Sequence, residues 1–122
     1  MKATATQTSH LKSLIKRADF LNIQKTGKKC VAHGLILQAR PNDLGHIRIG
    51  YTVTKRTEAS SVKRNRIKRR LRAAAADVMS QHAENSCDYV LIGRPATTIR
   101  PYESLCEDLR LCLGKIGHRK NA

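Results

Sequence analysis

The chain has no tryptophan, a single phenylalanine and three tyrosines, and its nine acidic residues face 24 lysines and arginines. Each shortage excludes something. A basic helix that settles into a membrane surface needs Trp or Phe along its apolar side, and this sequence has almost none to give. No run approaches the roughly 18 apolar residues of a spanning helix. The cysteines, Cys30, Cys87, Cys106 and Cys112, form no C-x-x-C pair, and their scattered spacing suits neither zinc nor a disulfide framework. All four read as reduced thiols in a cytoplasmic protein, and Cys87 and Cys106, in apolar segments, as small hydrophobes. The five histidines are dispersed, and the acids show no D-x-D or E-x-K grouping. Neither a carboxylate cluster for Mg²⁺ nor a His pair for acid–base work is therefore visible. Walker, H-E-x-x-H and Rossmann signatures are also missing. A stand-alone nuclease is disfavoured on those grounds. Residues 1–10 carry one Lys and no apolar stretch, which reads as a flexible arm and not as a secretory signal.

What is present is positive charge. A formal net charge of +15 on 122 residues makes the compact state repel itself, so a polyanionic partner is the economical explanation, and nucleic acid the leading one. The length suits one domain, read as residues 11–117, with a basic tail over 118–122. The charge is concentrated: the ten residues from Lys63 to Arg72 hold seven basic side chains and no acid. Ile67 and Leu71 lie inside that run at helical spacing and continue into Ala74, Ala75 and Val78. With about 100° between successive residues, Asn65, Lys68, Arg69 and Arg72 fall on the opposite side. The pattern predicts a helix over Ser60 to Gln81 with one face for a core and one for phosphates. Asp77, Glu84 and Asp88 read as relief of repulsion near its end.

Around it, Leu14, Ile15, Ala18, Leu21 and Ile23 mark a short first helix ending near Thr26-Gly27. Cys30 to Ala39 reads as a strand. The turn cluster Pro41-Asn42-Asp43-Leu44-Gly45 leads to an alternating strand, His46 to Thr54, expected to pair with it as a hairpin. Cys87 to Ile92 is a short apolar run consistent with a buried strand. Pro101 opens a last helix with an apolar stripe of Leu105, Leu109, Cys112, Leu113 and Ile116. The order α-β-β-α-β-α predicts an α+β protein: a single-layer mixed sheet packed with three helices.

The helix alone leaves RNA and DNA open, because the major groove of B-DNA also admits a helix. The resemblance goes further. Arg64-Asn65-Arg66-Ile67-Lys68-Arg69-Arg70-Leu71-Arg72 resembles the R-N-R-x-K-R-x-x-R motif of the protein subunit of bacterial ribonuclease P. Leu14 to Phe20 with Gly27-Lys28 looks like that family's opening helix and turn. Gly50-Tyr51-Thr52-Val53-Thr54-Lys55-Arg56 is similar to its second strand, and Asp88-Tyr89-Val90-Leu91-Ile92-Gly93-Arg94-Pro95 to its last. The segments occur in the family's order, from about residue 11 to 115.

The resemblance implies a sheet of about four strands, three helices and a left-handed β-α-β crossover; beside the three strands read above, a fourth would come from splitting Cys30 to Ala39 or from near Val62. It implies a protein that binds the catalytic RNA of ribonuclease P and the 5′ leader of precursor tRNA, while the RNA, with Mg²⁺ that it mainly holds itself, cuts the leader from the tRNA. The protein alone would be inactive and hold no metal or other cofactor. Carried over by position, Arg64, Asn65, Arg66, Lys68, Arg69 and Arg72 would meet the catalytic RNA. Phe20, Gln38, Lys55, Arg56 and Arg94 would meet the leader. Gln24 and Gln38 stand where the family often has aromatics, and Ala73 and Ala76 replace its usual Glu and Arg. The resemblance further implies a cytoplasmic protein, monomeric when free, that engages neither DNA nor membrane. A ribosomal or RNA-chaperone binding protein is the alternative that shares this composition. The ordered match outside the helix disfavours it.

Overall fold

The computed structural model describes residues 12–13, 17–82 and 86–116, with no side chain described for Lys12, Ser13, Arg17, Phe20, Thr26 or residues 80–82. In chain order the elements are β1 (Lys12–Ser13), α1 (Arg17–Thr26), β2 (Lys28–Val31), β3 (Leu35–Pro41), β4 (Arg48–Thr52), α2 (Ser61–His82), β5 (Cys87–Gly93), a 3₁₀ turn (Pro95–Thr98) and α3 (Tyr102–Lys115). The expected arm over 1–10, the tail over 118–122, and Leu14 and Ile15 of the first helix lie outside the described residues.

The fold is α+β, as expected. Its sheet is mixed and runs β1-β4-β5-β3-β2, four strands of ordinary length plus the two-residue β1 at one edge. The fourth strand comes from splitting Cys30 to Ala39, one of its two expected sources, and not from near Val62: the chain turns at Ala32-His33-Gly34, and β2 folds back antiparallel on β3, with Cys30 opposite Leu37. One expectation about the strands is corrected: β3 and β4 do not form a hairpin. β5 lies between them, antiparallel to β3 and parallel to β4, so α2 is the crossover of a β4-α2-β5 unit. Local turn chemistry suggested the hairpin; the apolar side chains of β5, buried on both faces except for a partly open Ile92, required the centre of the sheet.

Side chains alternate across that strand. Cys87, Tyr89 and Leu91 join Leu35, Leu37, Ala39 and Ile49 in the main core, roofed by α2 and α3. Val90 and Ile92 point to the other face, where Ile23 of α1 packs on them. α2 contributes Ile67, Leu71, Ala74, Ala75 and Val78, each at 0% exposure. It starts one residue later than the pattern predicts because Ser60 caps it: the Lys63 amide donates to Ser60 Oγ at 3.2 Å, and the Ser60 amide donates to Glu58 Oε2 at 3.1 Å. Gly93 lets the helix approach, since a Cβ there would lie 2.5 Å from Ile67 Cγ2. The last helix buries the stripe expected of it, Leu105, Leu109, Cys112, Leu113 and Ile116. All four cysteines are buried and none is in a disulfide.

Leu71→Ala is expected to cost about 2–5 kcal/mol, because a wholly buried leucine loses both transfer energy and packing. Arg69→Ala, on the exposed side of the same helix, should leave the denaturation midpoint close to that of the parent. Urea titrations of the two variants check the facing of α2; an unchanged midpoint for Leu71→Ala would contradict it.

Candidate nucleic-acid interface

Two surfaces emerge from this scaffold. The first is the outer side of α2. Asn65, Arg66, Arg69 and Arg72 are exposed there, and Lys68 is half-buried on its flank. The run is not uniform in what its cations do. The Arg64 guanidinium donates to the carbonyls of Glu58 and Ala59, both at 2.8 Å, and so fastens the loop that enters the helix. Arg70, which the sequence also placed in the charged run, reaches the other way and donates to the Thr98 carbonyl at 3.1 Å and to the Arg100 carbonyl. The Arg72 guanidinium lies 5.3 Å from the centroid of the Tyr51 ring. Asp77 is exposed and takes a hydrogen bond from the Tyr102 hydroxyl.

The second surface is the α1 face of the sheet. Pairing fixes its rows. Lys29, Gln38, Val90 and Gly50 stand side by side, as do Val31, Ile36, Ile92 and Thr52. Ile23 of α1 covers Val90, whereas Val31 remains 53% exposed and Ile36 and Ile92 partly so. An apolar strip therefore lies open beside α1, with exposed Lys29 on the edge strand and exposed Lys55 and Arg56 in the turn after β4. Gln24 is exposed on α1, whose residue Phe20 has its side chain outside the described residues. Gln38 is only 7% exposed, so it offers little of itself to a ligand. Arg94 is half-buried; its guanidinium donates to the Ala32 carbonyl, and its amide donates to Thr97 Oγ1 at 2.9 Å. Lys29 and Val31 were missed in the sequence because β2 was not recognised as a separate strand.

One partly buried charge network ties α1 to this face. Arg48 donates from Nε and Nη2 to Asp88 at 2.9 and 2.7 Å, and reaches Asp19 of α1 at 3.4 Å. Asn42 adds a hydrogen bond to Asp88 at 2.7 Å. Asp88 thus serves β4 and α1, not the end of α2 as its place in the sequence suggested; Glu84 lies outside the described residues. Burial works to raise the Asp88 carboxyl, but the bonds from Arg48 and Asn42 and the charges of Arg48 and Arg40 outweigh it and hold it below its ordinary value. Among the described residues no group of three or more His, Cys, Asp and Glu side chains is placed to hold a metal ion. No described helix is long and apolar enough to cross a membrane.

A depressed carboxyl stabilises the fold above its unfolded pKa of about 4, and that contribution disappears as pH falls through the lower, folded value. Stability measured by urea midpoint should therefore decline below about pH 4. Asp88→Asn should lower the stability at pH 7 by about 1–3 kcal/mol, because Arg48 then loses a charged acceptor. The same substitution should flatten the acid decline; an equally steep decline in the variant would assign it to other carboxyls.

The comparisons agree with the geometry. The ribonuclease P family model matches residues 9–117. The ribonuclease P protein component of Paramagnetospirillum magneticum is 46% identical over 114 residues, spanning 89% of this chain and 85% of that protein. That of Gluconacetobacter diazotrophicus is 45% identical over 107 residues, spanning 87% and 91%. Among solved structures, the Staphylococcus aureus RNase P protein superposes with a TM-score of 0.73 at 24% identity, covering 88% of this chain and 97% of that one. The Thermotoga maritima RNase P protein gives 0.68 at 24%, covering 80% and 91%. The two structures share the fold, and the family model and the curated relatives settle the kinship: this chain belongs to the ribonuclease P protein family.

Proposed function

We propose that this protein is the protein component of a ribonuclease P holoenzyme, binding the catalytic RNA through α2 and the 5′ leader of precursor tRNA along the α1 face of the sheet. The observation that carries the reading is the division of α2, with six side chains from Ile67 to Met79 at 0% exposure on one side and Asn65, Arg66, Arg69 and Arg72 in water on the other. Guanidinium forks match phosphate oxygens, and Asn65 can donate or accept at a base edge or a 2′-hydroxyl. Lys68 stands beside them. Arg64 supports the surface by fastening the loop before it and presents its charge without free rotation.

The leader is assigned to the strip of Val31, Ile36 and Ile92. Single-stranded bases stack or rest on apolar and aromatic ground while cations follow the backbone. Lys55 and Arg56 are free to do so, with Lys29 at the far edge. Phe20 is the aromatic assigned to this surface. Arg94 shapes the neighbouring turn, and Gln38 sits beneath the surface as part of its floor. Mg²⁺ is assigned to the RNA, which performs the hydrolysis. The protein's work is to neutralise phosphates and hold the leader. On this reading the protein acts with its RNA in the cytoplasm, as a monomer before assembly.

The test is reconstitution. Added to a bacterial ribonuclease P RNA at low Mg²⁺, the protein should restore cleavage of precursor tRNA, while RNA-free protein should cleave nothing. Binding to that RNA should weaken steeply with salt. If about six phosphates are neutralised, the log–log slope is about −4 to −5. A slope near zero, or cleavage by protein alone after micrococcal nuclease treatment, would refute the reading.

A paired substitution Lys55→Ala with Arg56→Ala should weaken holoenzyme binding to precursor tRNA more than to mature tRNA, by an amount that shrinks at high salt. Phe20→Ala should act in the same direction, provided that it melts like the parent. Binding in non-cleaving Ca²⁺ buffer measures both ligands; equal losses would put the leader on another surface.

A further inference from the structure

Arg72 ends the basic run and differs from its neighbours in how it is held. Arg64 and Arg70 direct guanidinium N–H groups at backbone carbonyls. Arg72 lies over an aromatic ring, 5.3 Å from its centroid. The ring belongs to Tyr51 of β4, on the side of the sheet that faces α2, half-buried against the main core. Of the other tyrosines, Tyr89 is wholly buried and Tyr102 sits on α3.

A cation over a ring engages the π face and leaves its N–H edge unoccupied. An ion pair would use the same donors that a phosphate needs, and would cancel the charge. Tyr51 does neither. Burial pushes its hydroxyl up to about 12 against the pull of Arg72, so the ring meets the cation as a neutral phenol. A long side chain already held in place also loses less freedom when a phosphate fixes it.

We propose that Tyr51 is a positioning residue for the RNA subunit: its ring holds the Arg72 guanidinium at the surface of α2 with donors free for a phosphate. The inference rests on α2 being the RNA-subunit surface. It predicts that the effect of Tyr51 on RNA binding passes through Arg72, and that the ring matters while the hydroxyl does not.

A double-mutant cycle tests this with transcribed bacterial ribonuclease P RNA at one fixed salt concentration. Arg72→Ala should weaken binding about tenfold or more, as loss of a charged hydrogen bond does. Tyr51→Leu should weaken it about threefold to fivefold, the scale of an exposed cation–π contact. Tyr51→Phe should bind like the parent, and Tyr51→Leu added to Arg72→Ala should cost nothing further. If Tyr51→Leu melts early, Tyr51→Met fills a similar volume and takes its place in the cycle. Equal losses from the Tyr51 substitution with and without Arg72, no loss in the parent background, or a loss in Tyr51→Phe as large as in Tyr51→Leu would each overturn the proposal. If Arg72→Ala alone leaves RNA binding intact, the assignment of this face of α2 fails, and the role of Tyr51 with it.

Discussion

Ile67, Leu71, Ala74, Ala75 and Val78 present no surface to water, and what α2 offers on its other side depends on that contact. A peptide with this density of like charge would repel itself along its length and lose helicity in isolation. Seated on β5 and β4, it has a direction and an outward face. Gly93 sets how closely it can sit, because any side chain there would meet Ile67. The packing is what turns a run of cations into an arrangement of them.

The fold also handles its positive charge in an unusual way. Arg64, Arg70, Arg94 and Lys28 are each directed at backbone carbonyls, at Glu58 and Ala59, at Thr98 and Arg100, at Ala32, and at Ile116. These acceptors are neutral. The bonds close loops and a helix end, yet they subtract nothing from the field that a polyanion meets at a distance. Carboxylates would have fastened the same loops and cancelled charge in doing so. Arg48 is the contrast, sharing Asp88 and Asp19 where α1 meets the sheet.

The legibility of the sequence followed from how local each signal was. α2 could be read because its stripe and its charges repeat every three or four residues, a period that only a helix satisfies. α3 could be read for the same reason. The division of Cys30 to Ala39 could be read only as one of two places for a fourth strand, because apolar residues continue through Ala32 and a lone Gly34 marks the reversal. The pairing of β4 with β5 was hidden for a different reason. It joins residues about forty positions apart, and nothing near Pro41 to Gly45 records which strand comes to lie alongside. At the site, the number of cations was plain, but their division into carbonyl clamps and free donors was not. The carbonyls that hold Arg64 and Arg70 belong to loops whose paths depend on the finished sheet. Tyr51 looked like one more apolar position in an alternating strand.

The central place of β5 has a consequence for how the chain is made. β3 and β4 emerge first, and neither supplies the other's missing neighbour; the strand that joins them leaves the ribosome only after the whole of α2. Until then both carry an unpaired inner edge, and α2 has no finished floor beneath it. Sheet closure therefore waits on a late, long-range contact, which slows folding relative to a meander of the same strands. During that interval the nascent chain exposes bare strand edges beside a dense patch of cations, in surroundings rich in RNA.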